Sequence, residues 1–136
     1  MKATPDASAY SILITDDDGG CRETLREIME PKGFRTLLAS SGEEAVDIVR
    51  GDPVHLVLLD MHMPTLTGLE TLRLVRQIHT MLPCILVTGD ADQNLMRQAY
   101  QAQVYSVLPK PINRHEVLYT VLRALSRFYG LREGGR

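Results

Sequence analysis

Three aspartates, Asp16, Asp17 and Asp18, follow the apolar run Ile12-Leu13-Ile14 and precede the glycines Gly19-Gly20. Like charges this close repel and raise one another's pKa unless a cation or a strong donor sits among them, so the run asks for a divalent metal. A lone carboxylate, Asp60, ends a second apolar run, Leu56-Val57-Leu58-Leu59, and two further strand-like runs lead to Thr88 and to Lys110. A hard cation such as Mg²⁺ binds through one or two carboxylates plus waters and phosphate oxygens. Asp17 and Asp60 are the expected direct ligands, with Asp16 close by and acting through a water. One oxygen of Asp60 is then free to attack phosphorus and form an acyl phosphate. The metal, Lys110 and the Thr88 hydroxyl would share the charge of the transferred group, which is most of what phosphoryl transfer requires.

These groups can meet only if the runs before them are parallel strands. Ser11 to Thr15, Phe34 to Ala39, Val54 to Leu59, Cys84 to Val87 and Val104 to Leu108 read as five short strands. Between them lie helical patterns. Cys21, Leu25, Ile28 and Met29 form one face, stopped by Pro31 and Gly33. Ala45, Ile48 and Val49 follow a start at Ser40-Ser41 with Glu43-Glu44 at the positive end of the dipole. Leu69, Leu72, Val75 and Ile78 mark a third helix and Leu95, Met96 and Ala99 a fourth, over Ala91 to Ala102. The stripe Leu118, Val121, Leu122, Leu125 and Phe128 marks the fifth.

Strand and helix in alternation argue for a parallel α/β sheet with helical crossovers. Strands one, three and four are apolar almost throughout, as strands covered on both faces should be. Right-handed crossovers place all the strand ends on one edge, where the ligand crevice of an open sheet lies. Taken singly, each group has a plainer role: the aspartate run as a helix cap, Asp60 before a proline loop as a turn former. Their common edge and their order carry the chemistry.

At 136 residues, with 44% hydrophobic and 24% charged residues, the chain has the size and balance of one globular domain. A formal net charge of -2 and no Lys/Arg-rich block argue against direct binding of nucleic acid. No apolar stretch approaches the roughly 20 residues needed to span a bilayer, and Met1 to Tyr10 lacks the apolar core of a signal peptide. No membrane association and a cytoplasmic location are expected. Cys21 and Cys84 are read as reduced packing residues. His55, His62, His79 and His115 show no metal-ligand spacing and are read as surface or packing residues. Residues 1–10 and 130–136 are expected to be flexible, around one domain over 11–129.

Ile12 to Asp18 (ILITDDD), Leu56 to Pro64 (LVLLDMHMP) followed by Gly68, Leu86 to Gly89 (LVTG) and Leu108 to Pro111 (LPKP) resemble the receiver domain of two-component response regulators, over about Ser11 to Phe128. The resemblance implies a flavodoxin-like (CheY-like) α/β/α sandwich, its five-stranded parallel sheet ordered 2-1-3-4-5 with five helices. It implies Asp60 as phosphoacceptor, Asp16 and Asp17 as the acid pair around Mg²⁺, the backbone carbonyl of His62 as a further metal ligand, and Thr88 and Lys110 as contacts of the phosphoryl group. The donor would be a phosphohistidine on a sensor histidine kinase or histidine phosphotransfer protein, and the domain would catalyse only its own phosphorylation and dephosphorylation. A downstream partner or output domain, or a homodimer, would receive the signal. Either the domain contacts a separate partner or it belongs to a longer regulator.

Two positions depart from the family pattern. The Tyr or Phe usual three residues before the lysine is Val107, so an aromatic rotamer switch cannot be the relay, and Tyr105 is the nearby candidate to replace it. Gly89 and Asp90 follow the threonine, and His62 and Asp90 flank the approach of attacking water. Two other readings compete. Asp16-Asp17-Asp18-Gly19 fits the opening motif of haloacid-dehalogenase-like phosphatases, with Asp16 as nucleophile and Asp18 as acid/base, although Lys110 follows Gly89-Asp90 where those enzymes place the lysine earlier. A binding scaffold that is never phosphorylated is supported by Val107 alone.

Overall fold

The computed structural model of the chain describes residues 6–132. Five strands, β1 (Ser11–Thr15), β2 (Arg35–Ala39), β3 (Leu56–Asp60), β4 (Cys84–Thr88) and β5 (Ser106–Pro109), alternate with five α-helices. These are α1 (Gly19–Met29), α2 (Gly42–Gly51), α3 (Gly68–Ile78), α4 (Gln93–Gln101) and α5 (Arg114–Tyr129). All strand pairs are parallel and the order is β2-β1-β3-β4-β5, the α/β architecture expected from the sequence. The three inner strands are buried at every residue, and the edge strands β2 and β5 are partly exposed.

Strand residues alternate between two cores because successive side chains leave a pleated sheet on opposite faces. Ile12, Ile14, Leu56, Leu58 and Leu108 pack with Leu25 and Ile28 of α1 and Val121 and Leu125 of α5. Leu13, Val57, Leu59 and Leu86 pack with Val46 of α2, Leu72 and Val75 of α3, and Leu95 and Ala99 of α4. Both faces are thereby covered, which is why the inner strands carry no polar alternation.

Each helix starts on a side-chain cap: Asp18, Ser41, Thr67, Asp92 and Asn113 accept backbone N–H groups of their own first turns. Thr67 and Glu70 form a full capping box. Pro31 lies in a 3-10 turn, Glu30–Lys32, and Gly33 leaves it at φ 97°, a conformation open to glycine at little cost.

Several expected boundaries shift. Strand three pairs from Leu56, not Val54, and includes Asp60; strand five begins at Ser106, not Val104. Helix α5 is rotated from the expected stripe: Val117 and Ala124 join Val121 and Leu125 in the core, whereas Leu118, Leu122 and Phe128 are only partly buried. Ile78, at the last residue of α3, and Met96 on α4 are exposed. Residues 1–5 and 133–136, the outer parts of the segments expected to be flexible, lie outside the described residues. The inner parts are packed: Ala7–Ala9 form a 3-10 turn, and Tyr10 and Leu131 are buried in the core shared with α1 and α5.

Candidate functional site

Asp60 and Thr88 are the final residues of β3 and β4, and Asp16 and Lys110 directly follow β1 and β5. The crossover to β2 leaves β1 on one side and the chain returns to β3 on the other, so Asp16 and Asp60 border the crevice where the winding reverses. Asp16, Asp60 and Thr88 are each at most 4% exposed, and Asp17 is exposed at the mouth.

Three carboxylate oxygens, one each from Asp16, Asp17 and Asp60, lie within 4.8 Å of one another. The Lys110 ammonium is 2.9 Å from Asp60 Oδ1 and 3.4 Å from Asp16 Oδ2. That ammonium is the partner the structure gives the buried Asp60 Oδ1, and no second donor among the described residues reaches it. The Asp18 N–H donates to Asp16 Oδ1 at 2.9 Å, and the Arg22 guanidinium donates to the Asp16 carbonyl at 2.7 Å. Burial pushes the Asp16 carboxyl above its usual pKa; the Asp18 N–H opposes this, Asp60 adds to it and Lys110 opposes it. Burial works against the Lys110 ammonium, but Asp60 and Asp16 outweigh it and hold its pKa above normal.

One ammonium among three carboxylates leaves an excess of negative charge. A buried Asp60 oxygen met only by the Lys110 ammonium, beside two further carboxylates, is a donor set of the kind a hard divalent cation takes. The residues present therefore fit a Mg²⁺ ion. Main-chain contacts hold the pocket in shape: the Asp16 N–H donates to the Ala39 carbonyl, the Met61 N–H to Val87, the Gly68 N–H to Met61 and the Lys110 N–H to Thr88. The Lys110–Pro111 peptide is cis.

Asp16, Asp17, Asp60 and Lys110 are thus brought together. Thr88 closes the neighbouring strand, where its hydroxyl accepts the Asp90 N–H at 3.1 Å. That hydroxyl also lies 3.3 Å from His62 Nε2. The sequence suggests the His62 side chain only as a surface or packing group, the family resemblance implies a metal-ligand role for its carbonyl alone, and no spacing rule links its imidazole to a threonine 26 residues away. Asp18 is spent differently: its carboxylate caps α1 by accepting the Gly20 N–H. The phosphatase reading, which needs Asp18 as acid/base, finds no support. Tyr105 does not replace the missing aromatic either. It precedes β5 at the opposite end of the strand, roughly 16 Å along an extended chain from Lys110, and packs edge-on against Phe128. Val107, paired in register with Leu86, is partly buried and packs against the core of α2, α3 and α4.

Residues 12–122 match the family model described as the response regulator receiver domain. The chain belongs to the response regulator receiver family. Its curated relatives include the transcriptional regulatory protein CpxR of Escherichia coli K12, 34% identical over 116 residues. The response regulator MprA of Mycolicibacterium vanbaalenii is 36% identical over 116 residues. Each match covers 85% of this chain, and the receiver spans about half the length of these relatives, 49% of CpxR and 50% of MprA. A crystal structure of a response regulator receiver domain protein from Clostridium thermocellum superposes with a TM-score of 0.81 at 27% identity, covering 87% of this chain and 95% of that one. The protein is a signalling receiver domain with a CheY-like fold, and its cluster of Asp16, Asp17 and Asp60 fits a phosphoacceptor site. None of its described helices is long and apolar enough to cross a membrane.

Proposed function

We propose that Asp60 accepts a phosphoryl group from a phosphohistidine on a sensor histidine kinase or a histidine phosphotransfer protein. An Asp60 carboxylate oxygen forms the new bond to phosphorus as the phosphorus–nitrogen bond of the donor breaks, and the departing electron pair stays on the donor imidazole. Lys110 holds Asp60 and Asp16 together before transfer and takes up charge on the transferred group after it. Thr88 offers its hydroxyl to a phosphoryl oxygen. Asp16, Asp17, Asp60 and the backbone carbonyl of His62 would hold Mg²⁺, which supplies charge neutralisation for the acids and the phosphoryl oxygens. The same groups would serve slow hydrolysis of the acyl phosphate, with His62 and Asp90 beside the path of water.

The observation that carries this reading is the Lys110 ammonium lodged between two buried acids, Asp16 and Asp60. Residues 11–129 would act as the receiver unit in the cytoplasm, passing the signal to a downstream protein partner, an output domain or a second copy, without touching nucleic acid or membrane. Incubation with acetyl phosphate and Mg²⁺ followed by intact mass tests it. The expected result is the gain of one phosphoryl group, abolished by chelator and by Asp60→Asn; no gain, or equal labelling of Asp60→Asn, overturns it.

A further inference from the structure

With Val107 partly buried against the core of α2, α3 and α4 and Tyr105 at the far end of β5, a group that touches the pocket directly is the natural place for a response to a charge on Asp60 to start. Thr88 is such a group, and its hydroxyl is already engaged. It accepts the Asp90 N–H, and its own hydrogen can be donated to His62 Nε2, 3.3 Å away. His62 also lines an open cavity of about 200 Å³ that reaches α4, with Asp90, Asp92, Leu95 and Gln98 among its other walls.

We infer that the His62 side chain is the latch of this receiver: it holds the Thr88 hydroxyl away from Asp60 at rest, and phosphorylation breaks that hydrogen bond. A phosphoryl group adds about -1.5 to -2 charges and three strong acceptor oxygens. A hydroxyl hydrogen bond to a charged acceptor is stronger than one to a neutral imidazole, so the Thr88 hydroxyl changes partner. The released imidazole then has a cavity to turn into, against the two acids at the start of α4, and that helix carries the change to the surface. This rests on the phosphoacceptor reading of Asp60. His62 acts through Thr88 and is a positioning residue.

The test uses the full chain with methyl-labelled threonine, beryllofluoride plus Mg²⁺ as the phosphoryl probe, and two variants that both keep the residue 62 carbonyl. His62→Phe keeps a ring but cannot accept the hydroxyl; His62→Gln keeps a hydrogen-bonding group. Without probe, His62→Phe should move the Thr88 methyl resonance toward its beryllofluoride-bound position. It should also tighten beryllofluoride binding about two- to tenfold, the factor one net hydrogen bond permits. His62→Gln should restore both values toward wild type. A Thr88 resonance and an affinity unmoved in His62→Phe overturn the latch, as does identical behaviour of the Phe and Gln variants. A wild-type protein that binds no beryllofluoride overturns the phosphoacceptor reading and the latch with it, whereas binding by wild type with unmoved variants removes the latch alone.

Discussion

Gly68→Ala should destabilise the domain through a contact that no side-chain rearrangement relieves. A Cβ at Gly68 would stand 2.4 Å from the carbonyl oxygen of Asp60 and 2.9 Å from both the Asp60 carbonyl carbon and Met61 Cα. All three are backbone atoms, so α3 or the end of β3 must shift. Overpacking costs about 1–3 kcal/mol, and a backbone obstacle places this case near 3. Alanine recovers about 0.5–1 kcal/mol of backbone entropy in a helix, leaving a net loss of about 2 kcal/mol. Gly51, in the last turn of α2 with nothing within 4 Å of its added Cβ, is the control; alanine there should stabilise by about 0.5 kcal/mol. With a urea m-value of about 1.5–2 kcal/mol/M, the Gly68→Ala midpoint should fall by about 1 M and that of Gly51→Ala should rise slightly. Because the displaced carbonyl belongs to Asp60, phosphoryl uptake should fall as well. A Gly68→Ala midpoint equal to that of wild type, at unchanged m, would refute the steric reasoning.

Asp16→Asn should raise the melting temperature in chelator and abolish the further rise expected for wild type when Mg²⁺ is added. Burial holds this carboxyl above its usual pKa, so its ionised form destabilises the fold near neutral pH, and a bound cation stabilises only a fold that holds it; a lower melting temperature, or a retained Mg²⁺ effect, counts against this. His55 is held below its usual pKa by burial, with smaller effects of Arg35 and His79, and its Nδ1 accepts the Ser11 N–H at 3.0 Å. The unfolded chain therefore takes up a proton first as pH falls below about 6.5, stability drops in that window, and His55→Asn should flatten the drop measured by urea titration at several pH values. Cys84 is fully buried with its thiol pushed up to about 11, and Cys21 is half-buried. A thiol reagent near neutral pH should modify Cys21 alone in the folded protein and both residues in denaturant; rapid native labelling of Cys84 would contradict its placement.

The pocket was legible because each of its groups ends or follows an apolar run. A strand buried on both faces is a strong signal, and a polar residue that ends or follows such a run stands out against it, as Asp16, Asp60 and Thr88 do although they are themselves buried. What escaped reading depends on approach between distant segments. The T-shaped contacts of Tyr10, His55 and Tyr129 join three distant segments, and the Tyr129 hydroxyl donates to the His55 carbonyl at 2.8 Å. Nothing local to any of the three residues announces that cluster. The contact of His62 with Thr88 is of the same kind. Helix α5 misled for another reason: Leu118, Leu122 and Phe128 are more apolar than Ala124, yet Ala124 faces the core because a small residue lets the helix approach the sheet closely. Hydrophobicity alone placed the stripe about one residue out of phase.

Direct location of the acyl phosphate is the most decisive measurement. Wild-type protein treated with acetyl phosphate and Mg²⁺ is reduced with borohydride, which converts an acyl phosphate to an alcohol, and then digested and sequenced by tandem mass spectrometry. The reduced side chain should fall on residue 60, with Asp16, Asp17 and Asp18 recovered unchanged. Reduction at any of those three, with Asp60 intact, would contradict the assignment of the pocket.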